Sequence, residues 1–485
     1  MKLDTVEIQN QHSQQVVAKE WNSDSANLFW PLAERLQWLE GFGIRIDRHA
    51  DDLIKLIRIE TGKSAWESFA SEILPLRASI RWHLNNAPRI LAPRRLSGRP
   101  WWMLGQRHEV LRLPAGRVAI IATWNYPVQL LGIQLVQSIV AGNITVVKPS
   151  ENSPRSQGLL LRLAAEGLRD GMLTRTAATR AAGEELLGVQ SLGANSPGQV
   201  PFDHIVFTGS TEVGRVIAKR AAESLTPTTL ELSGCDSAIV LASADAKLAA
   251  KSLWQAVVLN AGQTCMAPRR IIVEKSIYRQ FLTYLAPQVA GVKPMRLISE
   301  AAARRMDSCV RQAISLGGHS LSGVVEYSNQ ANVRPTAIFD CSIASDLAVG
   351  NHFSPAVAVI RADDAAHALA IHKTFRKHLS VSVFASSQQA RSLAGDAHFI
   401  GQLRAGSVTF NDSLIPTAHP SASIRGTGES GWGPSRGESG LLELSRSVTV
   451  SDTSRWIRMP TGEPDQKTQR ILRAILGGLR RNQSI

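Results

Sequence analysis

Cysteine and long apolar runs are both scarce in this chain of 485 residues, and each shortage removes a class of function. The four cysteines (Cys235, Cys265, Cys309 and Cys341) show no CxxC and no Cys/His pair at ligand spacing. Neither a disulfide framework nor a zinc site can be drawn from them, and no metal is expected. No window reaches the roughly 18 uninterrupted apolar residues of a membrane span. The closest, Leu130 to Gly142, is broken by Gln134, Gln137 and Ser138. The opening MKLDTVEIQNQHSQQ is polar and carries no apolar signal core, so cytoplasmic residence is the default expectation. Acidic residues are also short, 40 against 54 lysines and arginines, for a formal charge of +14. The excess is concentrated. Residues 89–117 hold seven arginines against Glu109, and residues 454–485 hold seven basic residues against Glu463 and Asp465. Such stripes suit nucleic acid, an anionic lipid surface or an acidic partner, or they simply keep a face solvated.

What is present is globular material: 44% hydrophobic and 19% charged residues, with length enough for about three structural units. From residue 21 to 95 apolar positions recur at three- and four-residue spacing (Leu32, Leu36, Leu39; Leu53, Ile54, Ile57), the stripe of helices facing a core. Gly62 reads as a helix stop and Ser64 as the cap of the next helix. Residues 96–113, with Trp101 and Trp102, are poor helix material, and a tryptophan pair there packs an interface more often than it binds a ligand. At Gly116 the rhythm changes. GRVAIIATWN reads as a strand ending in a polar turn, Pro127 to Ala141 as an apolar helix, and NITVVKPS as a second strand: a βαβ unit with parallel strands. Function in such a sheet sits at the carboxyl ends of the strands, where Asn125 and Lys148 fall.

Chemistry can be read at four places along the chain. Cys265 stands on a small-residue turn, LNAGQTCMAP, between two apolar segments. An accessible thiol among exposed N–H groups is a candidate nucleophile, whereas a lone buried thiol is inert. Lys148 and Glu151 can hold the two hydroxyls of a ribose, or can be a surface ion pair. Gly209 and Ser210, in HIVFTGSTEVGRVIAKRA, lie where a strand turns into a helix whose N-terminus favours a phosphate. Glu231 ends the strand TTLEL, and there a carboxylate acts either as a general base or as a capping group.

Taken in chain order, TWNYPVQ, KPSE, FTGSTEVG, TLELSG and LNAGQTCMAP resemble the motifs of the aldehyde dehydrogenase superfamily, and Asn411 to Gly433 resembles its class 3, fatty-aldehyde branch. The resemblance implies an α/β fold: a Rossmann-like cofactor domain (1–95 and 114–233), an α/β catalytic domain (234–439), a β-strand oligomerisation arm (96–113 and 440–453) and a basic amphipathic tail (454–485). It further implies a Cys265 thiolate that attacks an aldehyde, an oxyanion held by the Asn125 amide, and Glu231 as the base that releases a carboxylic acid from the thioester. For the cofactor, NAD with NADP possible as a second choice, it implies Thr123, Trp124, Lys148, Glu151, Gly209, Ser210, Asn351 and Phe353. The partners implied are a small-molecule aldehyde and a second copy in a homodimer, with peripheral membrane contact through the tail and no nucleic acid. Three departures stand out: Ser233 and Cys235 where the family has glycine and lysine, and Asn351 where it has glutamate. A neutral amide there should position the cofactor less firmly. Tyr126, Trp124 and Met266 read as an apolar entrance, favouring an aromatic or medium-to-long aliphatic aldehyde, and the glycine-rich RGTGESGWG reads as a mobile loop. Two other classes are compatible with the motifs: an acylating reductase that passes the thioester to coenzyme A, and a non-catalytic binding scaffold.

Overall fold

The computed structural model describes residues 30–100, 103, 105–188, 202–323, 331–454 and 462–481. Trp101 and Trp102, the opening segment, and residues 21–29 of the stretch that the sequence reads as helical lie outside the described residues. Contacts gather the chain into two units, residues 1–90 with 114–445 and residues 91–113 with 446–485. In the smaller unit, β1 (Arg94–Arg95) pairs antiparallel with β2 (Gln106–Pro114), and β2 also neighbours the strand Ser445–Thr453. The same unit carries the helix Gln466–Arg481, in the segment expected to be an amphipathic tail.

The larger unit opens with helices Leu32–Arg48, Ala50–Thr61 and Leu74–Ile90, whose apolar stripes are buried (Leu39, Phe42 and Ile46; Leu53 and Ile57; Leu76 and Ile80). Gly62 ends the second helix in the left-handed conformation, and the Ser64 hydroxyl accepts from the Glu67 N–H, as the sequence predicts. Two large sheets follow among the described residues, beside three two-stranded ones. The first contains β3 (Arg117–Ile121), β4 (Ile144–Lys148), β5 (Leu173–Arg175), β6 (His204–Gly209) and β7 (Thr228–Leu232), in the parallel order β7-β6-β3-β4-β5. Beyond β7, Gly431–Trp432 adds a sixth, antiparallel strand. The expected βαβ unit is β3, helix Gln129–Ala141 and β4, and that helix is buried along its whole length. Its polar side chains are bonded inside the core: Gln134 Nε2 donates to Thr208 Oγ1 at 2.9 Å, and the Ser138 and Thr145 hydroxyls meet at 2.8 Å. The apolar run nearest to a membrane span is thus a central helix of the first sheet layer, and no described helix is long and apolar enough to cross a membrane.

The second sheet has seven strands around β8 (Asp236–Val240) and β9 (Pro268–Glu274), flanked by Ala356–Ala362 and Ser380–Phe384. Its strands are apolar without alternation because helices such as Ala246–Val258 and Lys275–Ala290 cover one face and Ala365–Lys373 the other. The glycine-rich run is not a mobile loop. Gly431 pairs with Glu231 and Trp432 with Leu230, and the Trp432 indole donates to the Thr228 hydroxyl at 3.0 Å. Glycine at 431 (φ 97) serves close approach, since a β-carbon there would lie 2.0 Å from the Leu230 carbonyl oxygen.

Candidate active site

Cys265 follows a chain reversal that several side chains enforce. Helix Ala246–Val258 ends, and in the tight turn Leu259–Gly262 both Asn260 (φ 53) and Ala261 (φ 52) are left-handed, a conformation that asparagine tolerates and alanine does not. The turn is held on all sides. Glu67 accepts from the Asn260 N–H at 2.5 Å, and Asn260 Nδ2 donates to the Asn125 carbonyl at 2.9 Å. From β9 the fully buried Arg269 donates to the carbonyls of Gly262, Thr264 and Ser354 at 2.8–2.9 Å. Gly262 (φ 71) passes so close to Ser354 that a β-carbon would lie 2.3 Å from its carbonyl carbon.

The thiol so placed is half-buried and lines a cavity of ≈ 200 Å³ together with Thr123, Trp124, Asn125, Gly209, Ser210, Glu231 and Phe353. The topology explains the gathering. β7, β6, β3 and β4 are neighbours and parallel, so their carboxyl ends present Glu231, Gly209–Ser210, Thr123–Asn125 and Lys148 along one edge of the sheet. Asn125 is buried, and its Nδ2 donates one hydrogen bond, to the Gln263 carbonyl at 3.0 Å. An amide nitrogen carries two donors, so one N–H remains for the cavity that Asn125 lines.

Two ionisable groups here are displaced from their ordinary behaviour. Burial pushes the Cys265 thiol up to about 12; the carboxylates of Glu231 and Asp236 add to the rise, and the Arg436 guanidinium opposes it. Burial also raises Glu231, against the pull of Arg436 and of the Ser435 hydroxyl, which donates to Glu231 Oε2 at 3.1 Å. Oε1 of Glu231 is buried with no hydrogen-bond partner. An unpartnered carboxylate oxygen on the wall of the thiol's cavity is poised to take a proton from a molecule that enters.

The aldehyde dehydrogenase family model matches residues 10–450. The chain belongs to the aldehyde dehydrogenase family. A 4,4'-diapolycopene aldehyde oxidase from Methylomonas sp is 28% identical, covering 91% of this chain and 82% of its own. Aldehyde dehydrogenase family 3 member A2 of Mus musculus is 27% identical over 84% of this chain and 82% of its own, which sets the chain near class 3. A Mycobacterium tuberculosis aldehyde dehydrogenase complexed with NAD+ has the same fold, with a TM-score of 0.78, 24% identity, and coverage of 90% of this chain and 87% of that one. The protein is accordingly an oxidoreductase that oxidises aldehydes with NAD(P) as acceptor.

The dehydrogenase's own residues fit a dinucleotide. Ser210 caps helix Thr211–Glu223, its hydroxyl accepting from the Val213 N–H, and the positive end of that helix lies at the cavity. One strand beyond β3, Lys148 donates to Glu151, an ammonium and carboxylate suited to a pair of ribose hydroxyls. These two do not line the thiol's cavity, and neither does Asn351. Asn351 lines a second cavity, which shares Ser233 and Phe353 with the first, and its Nδ2 donates to Asp346 Oδ1 at 2.9 Å. Of the expected apolar entrance, only Trp124 lines the cavity. Met266 is buried against Leu379 and Leu414, and Tyr126 is buried with its hydroxyl 2.7 Å from Thr264 Oγ1.

Sequence reasoning missed the supports. Lys63 is buried, lies 3.9 Å from the Tyr126 ring centroid, donates to the Asn125 carbonyl at 2.8 Å, and forms an ion pair with buried Glu72. Glu72 Oε2 in turn accepts from the N–H groups of Val128 and Gln129 at 3.0 and 2.8 Å, holding the first turn of helix Gln129–Ala141. Glu72 sits in a π-helical turn, Phe69–Ile73, a local widening often found near functional sites. The available signal was an acidic residue inside an otherwise apolar helical stripe.

Proposed function

We propose that this cavity oxidises an aldehyde to its carboxylic acid through a thioester on Cys265. The reading is carried by one observation: Cys265, Asn125 and the unpartnered Oε1 of Glu231 border the same small cavity. The thiolate forms a bond to the carbonyl carbon, and the oxygen that becomes negative is met by the free Asn125 N–H and the Cys265 backbone N–H. NAD(P), when bound by Gly209, Ser210, Thr123, Trp124, Lys148, Glu151, Phe353 and the Asn351 region, supplies the hydride acceptor. Glu231 then takes a proton from water as the water oxygen attacks the thioester, and the acid leaves as the Cys265 sulfur is freed. Trp124 and Phe353, edge to face at 6.0 Å on the wall, support an apolar or aromatic aldehyde, and one relative is named for a diapolycopene aldehyde.

We assign the cofactor to residues 1–95 and 114–233, catalysis to 234–439, and a homodimer contact to the strand arm at 96–113 and 440–453; the pairing of β2 with Ser445–Thr453, in a sheet that β1 at 94–95 completes, supports the last. Four free cysteines and no disulfide among the described residues support a reducing, cytoplasmic setting. The tail helix supports contact with a membrane surface or a partner subunit. The test is Cys265→Ser, assayed for NAD reduction over aldehydes of increasing chain length, with and without coenzyme A. Loss of turnover with retained dinucleotide binding is expected; turnover within about tenfold of the parent removes Cys265 from the mechanism. Coenzyme A-stimulated NADH release would replace water with a thiol as the acyl acceptor.

A further inference from the structure

The cavity lined by Cys265 and Glu231 and the cavity lined by Asn351 share two residues, Ser233 and Phe353. Of those two side chains only Ser233 can form a hydrogen bond. It is the first residue after β7, it is half-buried, and its hydroxyl has no hydrogen-bond partner among the described residues. The backbone around it is fixed. The Ser233 carbonyl accepts from Ser430 Oγ at 3.1 Å, and the Leu232 N–H donates to the Ser430 carbonyl at 3.0 Å. On the other side, Gly234 lies so near Cys265 that a β-carbon there would come within 2.2 Å of the Cys265 carbonyl oxygen. Polar groups that line only the second cavity are committed elsewhere: the Thr211 hydroxyl donates to the Glu429 carbonyl at 3.3 Å, Asn351 Nδ2 to Asp346 Oδ1 at 2.9 Å, and Arg305 Nε to the Asn351 carbonyl at 2.7 Å. His352 Nε2 also lacks a partner but is itself buried. A free hydroxyl on a rigid backbone, where two cavities meet, is left to bond whatever enters both.

Strand order decides which part of a dinucleotide arrives there. Along one edge of the sheet, in the order β4-β3-β6-β7, Lys148 ends β4, Gly209 and Ser210 stand at the end of β6, and Ser233 follows β7. In NAD the two riboses flank the pyrophosphate. With one ribose at Lys148 and Glu151 and the pyrophosphate at the N-terminus of helix Thr211–Glu223, the second ribose falls past β6 on the β7 side. We propose that Ser233 is a cofactor-binding residue whose hydroxyl bonds a hydroxyl of that second ribose, the one that carries the hydride-accepting ring. Both groups donate and accept, so the bond forms in either direction. Because Ser233 also lines the thiol's cavity, the bond limits how far the ring end can shift along the cavity wall.

The proposal rests on the placement of the dinucleotide at Lys148, Glu151, Gly209 and Ser210, and it is tested on the full chain by calorimetric titration with three probes. These are AMP, which lacks the second ribose, ADP-ribose, which adds it, and NAD. Ser233→Ala removes the hydroxyl and leaves the backbone, and Ser233→Gly does the same with no side chain to misplace. In both variants the Kd for ADP-ribose and for NAD should rise roughly three- to tenfold, the loss of one neutral hydrogen bond, while that for AMP stays within about twofold of the parent. Unchanged ADP-ribose binding in both variants overturns the proposal. So does an equal loss for AMP, which would mean that the loop was disturbed and no ribose bond was removed. Lys148→Met separates the two readings, because it should weaken AMP by itself. If it does so while Ser233→Ala changes nothing, the placement of the dinucleotide stands and the part given to Ser233 falls. If Lys148→Met leaves all three probes unaffected, the placement falls and Ser233 with it.

Discussion

At Glu231 the same burial that leaves one carboxylate oxygen without a partner also raises the acid above the usual carboxylate range, and this sets what its removal should do. Attack by the thiol and loss of hydride need no base at this position, but water attack does. Glu231→Gln should therefore give a burst of about one NADH per site followed by a slow steady state, seen by stopped-flow absorbance. Steady-state turnover in the parent should climb with pH as Glu231 ionises, on a limb displaced above ordinary carboxylates and absent from Glu231→Gln; equal losses of burst and steady state would make Glu231 a structural group. Cofactor choice follows from a neighbouring residue. The Glu151 carboxylate would repel a 2′-phosphate that Lys148 attracts, so NAD should be preferred and Glu151→Gln should shift the kcat/KM ratio toward NADP. A parent enzyme that strongly prefers NADP would defeat that assignment. The Lys63–Glu72 pair makes a different prediction. Lys63→Met leaves a buried carboxylate without its cation, which costs roughly 3–5 kcal/mol and should appear as a lowered urea midpoint together with lost activity, since the Asn125 carbonyl loses a donor at the same stroke.

Among the elements, those readable in advance were the ones whose rule is local. GRVAIIA and NITVVK are rich in β-branched and small apolar residues, TTLEL is short and opens on two β-branched threonines, and each is followed by a polar turn, so their strand character and their functional ends could be read directly, and Asn125, Gly209, Ser210, Glu231 and Cys265 all meet at one cavity. Interactions made across the fold were not legible. Nothing near Lys63 announces Asn125, and a π-helical turn that brings Glu72 inward has no sequence period of its own. The glycine-rich run misled for a physical reason: glycine marks both freedom and close approach, and only the pairing partner of Gly431 distinguishes them. Cys265 was expected on a small-residue turn with exposed N–H groups; what the sequence does not show is that this loop is clamped by Arg269 and lacks room even for a methyl group at Gly262. Gly262→Ala should thus disorder the nucleophile loop, with lost turnover and a lowered melting temperature; an unperturbed enzyme would mean that the Ser354 segment yields readily.

For the whole molecule, the unassigned question is what the basic tail does. Helix Gln466–Arg481 carries Lys467, Arg470 and Arg473, and its sequence continues with apolar Ile475, Leu476 and Leu479. On an anionic bilayer each basic residue adds about 1 kcal/mol, so full-length protein should pellet with anionic liposomes at low salt and lose this on removal of residues 460–485. Unchanged pelleting after truncation, or none at all in the full chain, leaves the tail to a subunit contact.

The antiparallel strand Gly431–Trp432 sets a timetable for synthesis. Its partner β7 leaves the ribosome roughly 200 residues earlier, a delay on the order of 10–40 s at 5–20 residues per second. For that interval the first sheet has its other strands but an open edge at Leu230 and Glu231, and the entire second sheet must be made before the edge is closed. A nascent chain stalled between the two points would expose an unpaired strand bearing Glu231, the proposed base. The edge left open to association with other chains is thus the one that, once closed, borders the cavity shared by Glu231 and Cys265.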